Sequence, residues 1–191
     1  DKIPAGLDSP EHWYELDAIG GVEVTQGVLT AAATYILYSS PSDAFKDIQE
    51  VEFKVSFDDS ELAKGSILPA LNPTFSAAFE FDDQGGTEDS YGQLSLEPGF
   101  EGKIGDLAVS FSVPITFGFS IDDYYTDKNG KDETFGYFSI GLGASTPLPF
   151  PGDWSLSASV TYLYLDAFSA RSANSLQSSE VIGTVGISVS F

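Results

Sequence analysis

The stretch Leu107–Ile121, LAVSFSVPITFGFSI, decides how the rest of the chain is read. Its odd positions are apolar and mostly large: Leu107, Val109, Phe111, Val113, Ile115, Phe117, Phe119 and Ile121. Its even positions are small or polar: Ala108, Ser110, Ser112, Pro114, Thr116, Gly118 and Ser120. A strict period of two gives a β-strand with one oily face and one face of different character. Soluble strands run to about five or six residues, and a tilted strand crossing a bilayer needs about nine to eleven. This stretch exceeds both, and its second face carries no large side chain. It predicts a wall strand of a transmembrane β-barrel, with lipid on one side and a polar lumen on the other. Pro114 cannot donate a ladder hydrogen bond, so a bulge is expected there.

Eight more stretches share the alternation. Before the central strand come Trp13–Val24, Val28–Tyr38, Ile48–Phe57, Thr74–Phe81 and a less regular Tyr91–Phe100 interrupted by Pro98. After it come Phe135–Thr146, Trp154–Leu165 and Val181–Phe191. Between them lie Gly-, Pro-, Asp- and Ser-rich connections, with no helical period, internal repeat or second domain. The fold expected is therefore all-β, one antiparallel up-and-down transmembrane β-barrel over residues 1–191 with about nine strands visible.

Composition narrows the classes of function. Lys+Arg 8 against Asp+Glu 29 gives a net charge of −21, which repels nucleic-acid phosphate. Cys 0 excludes disulfides and thiolate metal sites. No apolar run approaches the roughly 18 to 20 residues of a membrane helix. A mean hydropathy of −0.01 suits a soluble protein equally well, because barrel strands turn half of their residues toward the lumen.

Alternation also suits a secreted soluble β-sandwich that binds calcium or glycans through acidic loops. Three features favour the barrel. Connections tend to alternate: short near Gln26, Ile104 and Pro149, long near Pro41, Gly85, Gly130 and Asn174, with Asp58–Ser66 intermediate. Membrane barrels have short periplasmic turns and long external loops. Aromatics gather near strand ends (Trp13, Tyr14, Tyr38, Tyr91, Tyr124, Tyr125, Tyr137, Trp154 and Tyr164), as in interfacial girdles. The face opposite the oily one is largely Ser, Gly, Ala and Thr, where a soluble strand would carry more Lys and Glu.

The last strand, VIGTVGISVSF, closes on Phe191 and resembles the C-terminal signature of bacterial outer-membrane proteins. That likeness implies recognition by the barrel-assembly machinery through Phe191, and a place in outer-membrane lipid. The segments LNPTFSAAFEFD (Leu71–Asp82), SVPITFGFSIDDYYTD (Ser112–Asp127) and FGYFSIGLGASTPLP (Phe135–Pro149) resemble a poorly characterised, porin-like family of small outer-membrane β-barrel proteins. The resemblance spans Trp13 to the end and implies architecture and location, with no catalytic residue.

Catalysis is not expected. The one histidine, His12, stands beside Glu11 in a loop, and Ser110 or Ser157 has no nearby base. Two acidic groups remain. Glu15, Asp17, Glu23, Glu50, Glu52 and Glu80, with Lys54, are expected to face the lumen. Carboxylates lining a pore favour cations; alternatively they pair with basic groups on further strands or a plug and hold the barrel shut. The loop group Asp82, Asp83, Glu88, Asp89, Asp122, Asp123, Asp127, Asp132 and Glu133 offers oxygens to surface Ca²⁺. DKNGKD fails the EF-hand spacing, and a solvated acidic rim accounts for it equally well. No other cofactor is expected.

Counted back from a periplasmic Phe191, the first visible strand runs downward from outside. Bacterial single-chain barrels have even strand numbers and a periplasmic N-terminus. One or three further N-terminal strands are therefore expected, for a barrel of ten or twelve.

Overall fold

A computed structural model describes residues 15–42, 45–81 and 89–190. Eleven strands form one antiparallel sheet. They are β1 (Leu16–Gln26), β2 (Leu29–Ser39), β3 (Ile48–Phe57), β4 (Thr74–Phe81), β5 (Ser90–Leu96) and β6 (Gly99–Ile104). Then follow β7 (Leu107–Ser112), β8 (Ile115–Asp122), β9 (Phe135–Pro147), β10 (Asp153–Leu165) and β11 (Ser179–Ser190). Two short helices interrupt connections expected to be plain loops: α1 (Ser60–Ala63) and α2 (Phe168–Ala173). Among the described residues the sheet is not closed: β1 pairs only with β2, and β11 only with β10.

The central stretch is two strands, not one. It breaks at Val113–Pro114, and the facing stretch breaks at Glu97–Pro98. Both breaks leave the register intact. Along β9, Ser112 faces Gly143 and Ile115 faces Ile140, as an uninterrupted strand would. Along the hairpin, Leu96 faces Ile115 and Gly99 faces Ser112. The backbone still bonds within the breaks, Val113 N–H to the Pro98 carbonyl and Gly141 N–H to the Pro114 carbonyl, both at 2.8 Å. Each proline removes one rung, because it has no N–H to return. β5 with β6, and β7 with β8, thus act as two long strands, so the eleven segments make a nine-strand up-and-down meander.

A substitution tests this directly. Pro114→Thr is expected to supply the missing donor toward the Gly141 carbonyl and to join β7 to β8, adding about 1 kcal/mol or less. The new amide at 114 should exchange slowly with deuterium; exchange at the rate of an open loop would mean the break has another cause.

The two ends of the meander differ. At one end β1–β2, β6–β7 and β9–β10 are joined by tight connections, with positive φ at Gly27 (62°) and Gly105 (63°). At the other lie the described residues 40–42, 45–47 and 89, with 123–134 and 166–178. The exception is 58–73, a long connection at the tight-turn end that carries α1. Asp59 organises it, accepting the N–H groups of Leu71 (2.9 Å) and Asn72 (2.8 Å). Those two bonds hold its carboxyl below the ordinary aspartate range. A depressed folded pKa stabilises above the unfolded value and is lost as pH falls through the folded one. NMR titration of Asp59 should therefore give a midpoint below 3.8, and a midpoint at or above 3.8 would contradict the contact.

Burial is inverted relative to a soluble sheet. Phe53, Val55, Phe75 and Phe79 on the oily face of β3 and β4 stand exposed, with Phe53 at 53%. The residues beside them on the opposite face are shielded, with Ala78 at 0% and Glu50 at 3%. Among the described residues no large side chain is fully buried. The sheet curls around its small, polar face, and aromatic pairs decorate the outside: Phe53–Phe79, Phe75–Phe119 and Phe117–Phe138 at 5.1–6.3 Å.

Candidate functional site

The inner face of the curled sheet is where small and polar side chains converge. Cross-strand register sets the rows. Glu23 aligns with Ala32 and Lys54, Glu52 with Thr34 and Gly21, and Asp17 with Tyr38. Glu50 lies directly opposite Glu80 on β4. Period-two geometry therefore puts Asp17, Glu23, Glu50, Glu52, Lys54 and Glu80 on this one face; Glu15 precedes β1 and is exposed. The carboxylates are not spread evenly. Glu50 and Glu80 sit near the long-loop end, and the Tyr91 hydroxyl reaches Glu50 Oε1 at 3.5 Å.

The far end of the face is lined by hydroxyls. A hollow of about 420 Å³ is bounded by Ser110, Ser112, Ser145, Ser157, Ser159 and Glu97 among others. A second, of about 480 Å³, extends from Thr30 on β2 across Ser56, Thr74 and Ser95 to Ser112. The two share Glu97 and Ser112, at the proline breaks. Glu97 is absent from the expected lumen set, although it shares the parity of Tyr91 and Ser95. Pro98 takes it off the ladder, and its N–H bonds to the Leu71 carbonyl at 2.7 Å. The signal was present in the chain: Pro98 and Pro114 lie almost symmetrically about the Gly105 turn, so a hairpin there stacks them on adjacent rungs.

No family model, no curated protein and no solved structure matches this chain.

The aromatic girdle reading needs correction. Tyr38, Tyr91 and Tyr137 share the polar face, by register with Asp17, Ala78 and Gly118. Tyr124 stacks on Tyr91 at 4.4 Å, and Tyr125 packs edge-on against Tyr124 at 4.9 Å. Tyr91, Tyr124, Tyr125 and Tyr137 form a contiguous inner cluster, and Tyr38 shares their face. Trp154 and Tyr164 do lie on the oily face, by register with Val189 and Phe138; Trp13 and Tyr14 lie outside the described residues. Beyond Gly118 a bulge skips Gly136 and lets Tyr125 lie over it.

The loop carboxylates are dispersed. Asp127 accepts the N–H groups of Asn129 (2.7 Å) and Lys131 (3.0 Å), which hold its carboxyl below the usual range. Asp132 takes the Ser120 hydroxyl at 2.5 Å. Asp122 ends β8, and Asp123 follows with φ 49°. Among the described residues no three His, Asp or Glu side chains gather to hold a metal ion. Asp82, Asp83 and Phe191 lie outside the described residues.

Proposed function

We propose that this sheet is the wall of a transmembrane β-barrel in a bacterial outer membrane, acting as a small passive pore or a structural surface protein. The observation that carries the reading is the inverted burial: oily side chains on the outside, small and charged ones within. In water that outer face would be an aggregation surface; in lipid it is the required one. The sandwich alternative places its large side chains between two packed sheets. Here the strands among the described residues all belong to one sheet, and none of them forms a second layer over the oily face.

Closure follows from strand direction. β1 and β11 both run from the long-loop end toward the tight turns, so they are parallel to each other. A bilayer has no water for unpaired edges. An antiparallel seam needs an odd number of strands between them, giving ten or twelve in all, from elsewhere in the polypeptide or another chain. The long loops then lie outside, and the inner carboxylates favour cations over anions. We assign no enzymatic step and no resident cofactor.

Gel mobility tests this reading. Protein refolded in detergent should migrate faster unheated than boiled, as a closed barrel does, and should aggregate when detergent is removed. A monodisperse species in plain buffer would favour the soluble alternative.

A further inference from the structure

We propose that the β8–β9 loop, 123–134, is a latched lid that closes the inner trough at its long-loop end, so that the resting barrel is shut to solutes. The inference rests on the barrel reading and adds to it the state of the lumen. The loop does not project away from the sheet. It folds back over the polar face, carrying Tyr124 onto Tyr91 and leaving Tyr125 only 8% exposed.

Three sets of bonds hold it there. The Ser120 hydroxyl, on the inner face of β8, accepts the N–H of Tyr124 (3.2 Å) and donates to Asp132 Oδ1 (2.5 Å), joining the two legs of the loop. Glu133 N–H closes on the Tyr125 carbonyl at 2.6 Å. A strap from the neighbouring 166–178 connection then crosses over: Thr126 N–H donates to Ser169 Oγ (2.9 Å), Ser169 N–H to the Thr126 carbonyl (3.0 Å), and Phe168 N–H to Glu133 Oε2 (3.2 Å). A loop with paired legs, buried rings and a second connection tied across it occupies one position.

Its place is the acidic end of the trough. Burial first, and then the carboxylates of Glu80 and Glu50, push the Tyr124 hydroxyl well above the usual phenol range. The hydroxyl-lined hollows lie at the opposite end, beyond the lid. The trough is thus closed at the long-loop end and hollow toward the tight turns.

The test compares wild type with Tyr124→Ala and Asp132→Ala, each refolded into planar bilayers and into sugar-loaded vesicles. Tyr124→Ala removes only the ring in the mouth, and Asp132→Ala cuts the latch; heat-shifted gel mobility confirms that each has folded. Wild type should carry little current and release little sugar, while both variants raise conductance and release several-fold. Equal flux in wild type and variants, or silent variants that have inserted, overturns the lid and leaves the barrel standing. Failure of wild type to insert at all overturns the barrel reading, and the lid with it.

Discussion

Phe53→Arg should destabilise the refolded protein by about 2–4 kcal/mol, the cost of a cation on the lipid face near mid-membrane. Phe53 sits in the middle of β3, opposite Ala33 and Ala77 and near the Phe79 ring at 6.3 Å, with half of its surface open. In a soluble protein an exposed phenylalanine replaced by arginine costs little or even helps, so the sign of the effect distinguishes the environments. Thr34→Arg supplies the control. It lies on the polar face, opposite Gly21 and Glu52, where an added cation meets carboxylate and water. Urea titrations in detergent or vesicles should show Phe53→Arg much the more damaging. The reverse order would invert the assignment of faces.

Gly118→Ala is the second large effect expected. A Cβ at that position would stand 2.0 Å from Cε1 and 2.3 Å from Cδ1 of Tyr137. No side chain tolerates that approach, so the Tyr137 ring must move, and it is packed beside Tyr125 in the inner cluster. Overpacking of this kind costs about 1–3 kcal/mol. The cause is separable by a double-mutant cycle with Tyr137→Ala. Removing the ring creates the room that the methyl needs, so the two losses should be clearly less than additive. Additive losses would mean that glycine is needed at 118 for its backbone, not for the space above it.

The alternation in the chain carries most of the fold. Val51, Phe53 and Val55 against Glu50, Glu52 and Lys54 is legible as two faces because side-chain direction in a strand depends on parity alone. Parity does not show where a rung is missing. Pro98 and Pro114 each delete one rung while the register continues past them, and a sequence reading cannot separate that from a bulge within one strand. Glu97 keeps the parity of Tyr91 and Ser95 and stands on the inner face with them. The tyrosines were misplaced because position near a strand end does not choose a face. The contacts that fold the 123–134 loop back, Ser120 to Asp132 and Thr126 to Ser169, join residues 12 and 43 positions apart. Counting carboxylates in a loop likewise does not show that Asp127 and Asp132 are engaged in separate turns.

The central claim is that the oily face meets lipid, and a spin-label scan along β3 tests it most directly. The chain contains no cysteine, so single cysteines at 50 through 56 can be labelled cleanly in the protein refolded into bilayer vesicles. Collision with oxygen, which concentrates in lipid, should peak at 51, 53 and 55 and fall at 50, 52, 54 and 56, while collision with a water-soluble nickel complex should be lowest at 50, beneath the lid, and rise toward 56, which lines the hollow. Uniform access of the nickel complex to both sets of positions would contradict the claim.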